Sequence, residues 1–328
     1  MNPPDALSAT ASDRTTAASE QAFTFAVGAD RLVGILHAPQ AATAAALMQR
    51  QVAGASDTGV VVIVGGPQYR VGSHRQFVRL ARHLATLGHP VLRFDVRGMG
   101  DSSGALRHFE HIGDDIAAAI DELLTRQPQV RRVVLWGLCD GAAAALLYLD
   151  GRSDPRVQAL CLLNPWVRSE ASLARTQVKH YYGQRLLQRA FWLKVLSGQV
   201  AGAALRGLWT NLRAASFGMD RDAAALPFPV RMAQAWQRFE GDILLVLSGK
   251  DYTAREFQEV VAAHPAWKGA LDRSNVQVLA TEAADHTFSD RANSRQLELS
   301  IGDWLTRGAQ ATDGFAGATT HPAAAVHD

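Results

Sequence analysis

A chain of 328 residues, 48% of them hydrophobic, can build one large domain or two average ones around a substantial core. Its formal net charge of +2 provides no global field for nucleic acid, and two cysteines are too few for a disulfide framework, which points to a reducing, cytoplasmic setting. Residues 1–20 lack the apolar region of a secretory signal, and no run approaches the ~18 apolar residues of a membrane span, so a soluble protein is expected.

Met1 to Glu20, rich in Ala, Ser, Thr and Asp, reads as a disordered leader. Phe23–Val27 alternates as a strand, Gly28-Ala29-Asp30 is a turn, and Arg31–Leu36 is a second strand. Gln40–Thr58 is an alanine-rich insertion with room for a short surface helix. Gly59–Val64 is a continuous apolar run that stops at Gly65-Gly66-Pro67, as befits a strand buried on both faces. Helical spacing over Ser73–Leu87 puts Phe77, Leu80, Ala81 and Leu84 on one side. Strands then fall at Pro90–Phe94, Val133–Trp136, Val157–Leu163, Ile243–Leu247 and Val276–Leu279. Helical patterns fall at Gly113–Arg126, after Cys139, at Ala254–Trp267 and at Arg291–Leu305. This alternation predicts an α/β protein with a mostly parallel central sheet of about eight strands flanked by helices. The expected organisation is a leader at 1–20, one domain at 21–307 and a disordered tail at 308–328.

Residues 165–240 interrupt the alternation. The segment is rich in aromatics, and between Trp166 and Ser216 it carries Arg168, Arg175, Lys179, Arg185, Arg189, Lys194, Arg206 and Arg213 against Glu170 alone, 8 − 1 = +7. An inserted helical cap over the sheet end is expected, with a basic face suited to an anionic substrate, a carrier or a membrane surface.

Leu135-Trp136-Gly137-Leu138-Cys139-Asp140-Gly141 is the stretch that carries chemistry. A strand runs into a G-x-C-x-G frame and a helix follows, the nucleophile-elbow pattern with sulfur in place of the usual oxygen. Glycines two residues either side relieve the crowding of so sharp a turn, and the helix N-terminus favours a thiolate. Cys139 is therefore the candidate nucleophile. Cys161, mid-strand among apolar residues, reads as an inert core thiol.

A thiol needs a base and the base an orienting group, and in such sheets the chemistry lies beyond the carboxyl ends of the strands. Of 11 histidines, His286 alone follows the last strand and precedes the last helix. Asp251 follows the next-to-last strand and is the favoured acid, with Asp285 and Glu282 as weaker alternatives. The oxyanion needs two donors. One is the backbone N–H of Asp140; the other comes from the loop after Gly59–Val64, where Pro67 cannot donate and Gly66 is preferred to Gln68. An anion beside a thiolate is unfavourable, so the Asp140 side chain is expected to turn away and cap the helix. Gln68, Tyr69, Arg70 and His74 are placed to touch substrate. The Asp95-Val96-Arg97-Gly98-Met99-Gly100-Asp101 turn reads as structural, with its charges paired across it.

These residues together resemble the α/β-hydrolase superfamily over about Phe23 to Arg307, in the order nucleophile, acid, histidine. More closely, Val64-Gly65-Gly66-Pro67-Gln68-Tyr69-Arg70-Val71-Gly72-Ser73-His74-Arg75 and Trp136-Gly137-Leu138-Cys139-Asp140 resemble the exosortase A system-associated hydrolases of type 1. Those accompany bacterial machinery for exopolysaccharide production and C-terminal sorting signals. The elbow cysteine is also similar to that of dienelactone hydrolases, compact enzymes from which the large basic cap departs. The expectation is a hydrolase of an ester or thioester on a small molecule or carrier, working without metal or organic cofactor. An acyltransferase with the same residues, or a binding protein on the same fold, is the alternative.

Overall fold

The computed structural model describes residues 19–39, 56–66, 68–168 and 226–316. Eight strands form one sheet: β1 (Ser19–Val27), β2 (Asp30–Ala38), β3 (Thr58–Ile63), β4 (Val91–Phe94), β5 (Arg132–Leu138), β6 (Val157–Leu163), β7 (Asp242–Ser248) and β8 (Val276–Thr281). Their order is β1-β2-β4-β3-β5-β6-β7-β8. Only β2 runs antiparallel to its neighbours; β3 to β8 are parallel. Parallel strands need crossovers, and the crossover helices cover both faces. That explains why β3, β5, β6 and β7 are apolar on consecutive residues rather than on alternate ones.

On one face α1 (Gln76–Thr86) and α6 (Arg291–Ala316) lay Phe77, Leu84, Leu297 and Ile301 against Val60, Val62, Trp136 and Val246. On the other, α2 (Gly113–Arg126), α3 (Asp140–Tyr148), α4 (Phe228–Arg238) and α5 (Tyr252–Ala263) pack Ile116, Ala142, Trp236 and Phe257 over Val61, Leu135, Leu160 and Leu245. The central strands β3, β5 and β7 thus give their odd residues to one core and their even residues to the other.

Several boundaries differ from the pattern in the sequence. The first strand begins at Ser19, inside the stretch read as leader, because β2 offers partners as far as Ala38. Ser73–Arg75 is a separate 3₁₀ turn with left-handed His74 and Arg75 (φ 52° and 60°), so α1 starts at Gln76. Hydrophobic spacing is blind to such a turn. Helix α5 ends at Ala263 because Pro265 holds His264 extended, and a 3₁₀ turn follows at Pro265–Trp267. Helix α6 continues to Ala316, past Gly308, through a stretch with several good helix formers. Residues 40–55 of the alanine-rich insertion, and 169–225 of the expected cap, lie outside the described residues. Among the described residues no helix is long and apolar enough to cross a membrane.

Candidate active site

The carboxyl ends of β3, β5, β6, β7 and β8 lie along one edge, in register through Ile63, Gly137, Leu162, Leu245 and Val278. Cys139 follows β5 directly, with φ 61° and ψ −122°, a left-handed conformation that a non-glycine residue adopts only when its surroundings impose it. The flanking glycines show how. A Cβ at Gly137 would strike the Gly141 carbonyl and come within 2.5 Å of Ala142 N; one at Gly141 would lie 2.6 Å from Ile63 O. Strand and helix therefore touch backbone to backbone, and the turn between them lifts Cys139 to a half-exposed position.

His286 and Asp251 arrive from the loops after β8 and β7. His286 Nδ1 is 2.7 Å from Asp251 Oδ2, and its ring also feels the Cys139 side chain. These two partners push the imidazole up to about 10 against the opposing pull of burial, Asp251 contributing most. Asp251 is also the N-cap of α5: it accepts Thr253 N–H at 3.0 Å and Ala254 N–H at 3.3 Å, and it is buried. The helix thereby fixes the carboxylate that orients the base. Asp285, the weaker alternative, instead accepts the Thr287 and Ser289 N–H groups of its own loop, at 3.2 and 2.9 Å. Glu282 is exposed. Cys161 is fully buried in β6, where desolvation holds its thiol far above the usual range.

Of the two backbone groups expected to serve as oxyanion donors, the Gly66 N–H is already taken. Gly66, at φ 61°, donates its N–H to Asp140 Oδ2 at 2.6 Å. The N–H groups of Asp140 itself and of Gly141 also favour the ionised carboxylate. The side chain turns towards the donor loop; the N-cap of α3 is Cys139, which makes no side-chain capping bond. Burial raises its carboxyl above the ordinary value while these three donors pull it back.

The four residues assigned to substrate contact lie apart from one another. Arg70 is turned inward: its guanidinium pairs with Asp95 and, at 2.6 Å, with Asp101, and its N–H donates to Asp95 Oδ1 at 2.6 Å. Gln68 uses its amide oxygen on Ser73 N–H at 3.4 Å. Tyr69 is exposed, and His74 is exposed near Asp285. The charges of the Asp95 turn do not pair across it. Asp95 takes Arg70, whereas Arg97 reaches into α2 and bonds Asp115 with both its backbone N–H (2.8 Å) and its Nε (2.5 Å).

Two features escaped the sequence. Asn164, fully buried with φ 44°, clasps Ser248 through Nδ2–Oγ and Oδ1–N bonds of 2.9 Å and donates to the His286 carbonyl at 3.4 Å. Its signal was the Asn-Pro dipeptide directly after β6. The second is the cavity of about 740 Å³ beside Cys139, walled by Met99, Leu106, His108, Phe109 and Trp166 and floored by Gly66 and Asp140. Its wall residues come from a turn that has no periodicity of its own. A cavity of about 950 Å³ at the opposite edge, around Arg152 and Phe239, contains neither cysteine and no histidine. Among the described residues no group of three His, Cys, Asp or Glu side chains could hold a metal.

A family model described as serine aminopeptidase, S33, matches residues 55–297. Among solved structures, the esterase of Pyrococcus furiosus is similar at a TM-score of 0.58 and 16% identity, over 88% of this chain and 91% of that one. A putative alpha/beta hydrolase from Agrobacterium tumefaciens gives 0.52 at 14%, over 89% and 97%. An alpha-beta serine hydrolase homologue from Coxiella burnetii gives 0.50 at 15%, over 87% and 97%. At such identities the likeness establishes the fold. No curated protein matches the chain.

Proposed function

The chain belongs to the family described as serine aminopeptidase, S33, an α/β-hydrolase family, and we propose that this hydrolase cleaves an ester or thioester with Cys139 as nucleophile, His286 as base and Asp251 as orienting acid. Cysteine stands where the family's name implies serine. The observation that carries the reading is His286, bonded to Asp251 at 2.7 Å and close enough to the Cys139 side chain for that group to raise its basicity.

The sulfur, stabilised by the imidazolium, attacks the acyl carbonyl. The tetrahedral oxyanion is received by the N–H groups of Gly66 and Asp140, and His286 gives its proton to the departing alkoxide or thiolate. Once acylated, the sulfur carries no charge, so one of the two influences that raise His286 is gone. The histidine then loses its proton more readily and can activate water against the thioester. The mostly apolar wall of the adjoining cavity suits an acyl chain. The likeness of the Gly65–Arg75 and Trp136–Asp140 stretches to exosortase-associated hydrolases supports a cytoplasmic role beside exopolysaccharide export. The basic segment would then approach an anionic or carrier-bound donor. A thioester intermediate also reacts readily with amines, which favours acyl transfer as the second reading.

Intact-mass analysis with short- and long-chain p-nitrophenyl esters and acyl thioesters tests the proposal. Wild type should carry a transient acyl adduct that Cys139→Ala cannot form; equal behaviour of the two proteins with every probe overturns the assignment. Added amines that shorten the adduct's life and appear as amide would select transfer over hydrolysis.

A further inference from the structure

The carboxylate of Asp140 lies where the proposed reaction puts its oxyanion. It takes the Gly66 N–H at 2.6 Å, a short charge-assisted bond, and the N–H of Asp140 itself also favours its charge. These are the two donors assigned to the tetrahedral intermediate. Gly141 N–H completes a three-donor cradle at the start of α3, where the helix dipole favours an anion. The surrounding sequence makes room for the carboxylate. Gly65 does not have a positive φ, yet a Cβ there would collide with both Gly141 N and Asp140 Oδ1, so glycine is what lets both the helix start and the carboxylate approach this loop.

We propose that Asp140 is a specificity-determining gate: its carboxylate fills the oxyanion hole of the resting enzyme, and only an acyl donor that displaces it is attacked by Cys139. This rests on the reading of Cys139 as nucleophile. A carbonyl oxygen is a weaker acceptor than a carboxylate, so it cannot take the cradle by its own hydrogen bonds. The donor must bring further binding energy from the adjoining cavity, and a small ester has little of it. The gate thereby protects a reactive thiol from adventitious acyl donors while leaving it open to the substrate that fills the cavity.

Two rates measured on full-length wild type, Asp140→Asn and Asp140→Ala test this. Alkylation of Cys139 by iodoacetamide reads the sulfur and its histidine and requires no oxyanion hole. Single-turnover acylation by p-nitrophenyl acetate requires both. The gate predicts that the ratio of acylation to alkylation rises by roughly 10²- to 10³-fold in Asp140→Ala, the scale of an oxyanion donor made available, with Asp140→Asn between. The use of the ratio removes any effect of the lost charge on the thiol. A ratio unchanged or lowered in both variants, with Cys139 still the acylated residue, overturns the gate and leaves the nucleophile standing. Acetylation that persists in Cys139→Ala overturns both.

Discussion

Asp251 Oδ2 bonds His286 Nδ1 at 2.7 Å and also accepts the Ala254 N–H at 3.3 Å, so one oxygen ties the base to the first turn of α5. The histidine's orientation is inherited from a helix cap. Folding also gives the imidazole partners it lacks in the open chain, which lifts it from 6.5 to about 10. Between those values the folded protein retains a proton that the unfolded chain releases, so this contribution to stability is complete below about 6.5 and disappears as pH climbs towards 10. The melting temperature should fall across that window more steeply in wild type than in Asp251→Asn. Parallel curves would mean that the pair adds nothing to folding.

The same pair has a kinetic consequence. Asp251→Asn keeps the cap's shape but removes the charge that fixes the tautomer and supports the imidazolium. Esterase turnover is expected to drop by roughly 10²- to 10⁴-fold, the range in which loss of such an orienting acid falls. Iodoacetamide alkylation of Cys139 at neutral pH should slow with it. A variant within threefold of wild type in both assays would remove Asp251 from the proposed triad.

The parts of this site that were legible in the sequence share one property. Cys139, Asp251 and His286 each follow a strand that is apolar enough to recognise, so the sheet's own logic ranks them. Gly66 was legible because Pro67 beside it cannot donate. The contact of Asp140 with Gly66 was not, since it joins residues 74 apart through the conformation of one side chain. Arg70 was misread for a similar reason. Its place near the donor loop was right, but the direction of its guanidinium depends on a buried Asp95 that only the folded turn brings to it. His74 and Arg75 took left-handed backbone that neither residue type announces.

Asn164 was invisible for a third reason, that its importance lies in what it joins. It holds Ser248 at the end of β7 to the backbone of His286. Asn164→Ala leaves a buried serine hydroxyl and N–H without this partner, at a cost of about 1–3 kcal/mol, and should lower turnover by loosening the His286 loop. Asn164→Gly accommodates the φ of 44° but loses the same bonds. Urea unfolding of both variants separates the two effects. Recovery of most of the stability by glycine would assign the residue's value to its backbone instead.

The elbow glycines offer a harsher test, because their neighbours are main chain and cannot rotate away. Gly137→Ala drives a methyl into the Gly141 carbonyl. About 3 kcal/mol of destabilisation is expected, the upper end for an overpacked core site. A folded variant should also have lost acylation, since the turn that presents Cys139 must open. Denaturant midpoint and single-turnover acylation measured together would refute this if either were unchanged.

Arg70 decides between two uses of a cation near a catalytic loop. Were it a substrate contact, Arg70→Ala would raise KM and leave stability alone. The ion pairs argue otherwise: Asp95 is completely buried, and the guanidinium is its charged partner. Its remaining donors are the Arg70 N–H at 2.6 Å and the Asp101 N–H at 3.0 Å, and Arg93 acts on it only through space, so the loss is softened but no directly bonded cation remains. Removal of the side chain should therefore destabilise the fold by about 3 kcal/mol, the low end for a broken buried pair. Asp95→Asn should cost less than Arg70→Ala, because the guanidinium it leaves is still paired with the exposed Asp101. Equal KM values for a long-chain ester in wild type and Arg70→Ala, beside a lowered urea midpoint, are the expected result; a raised KM with an unchanged midpoint would return Arg70 to the substrate.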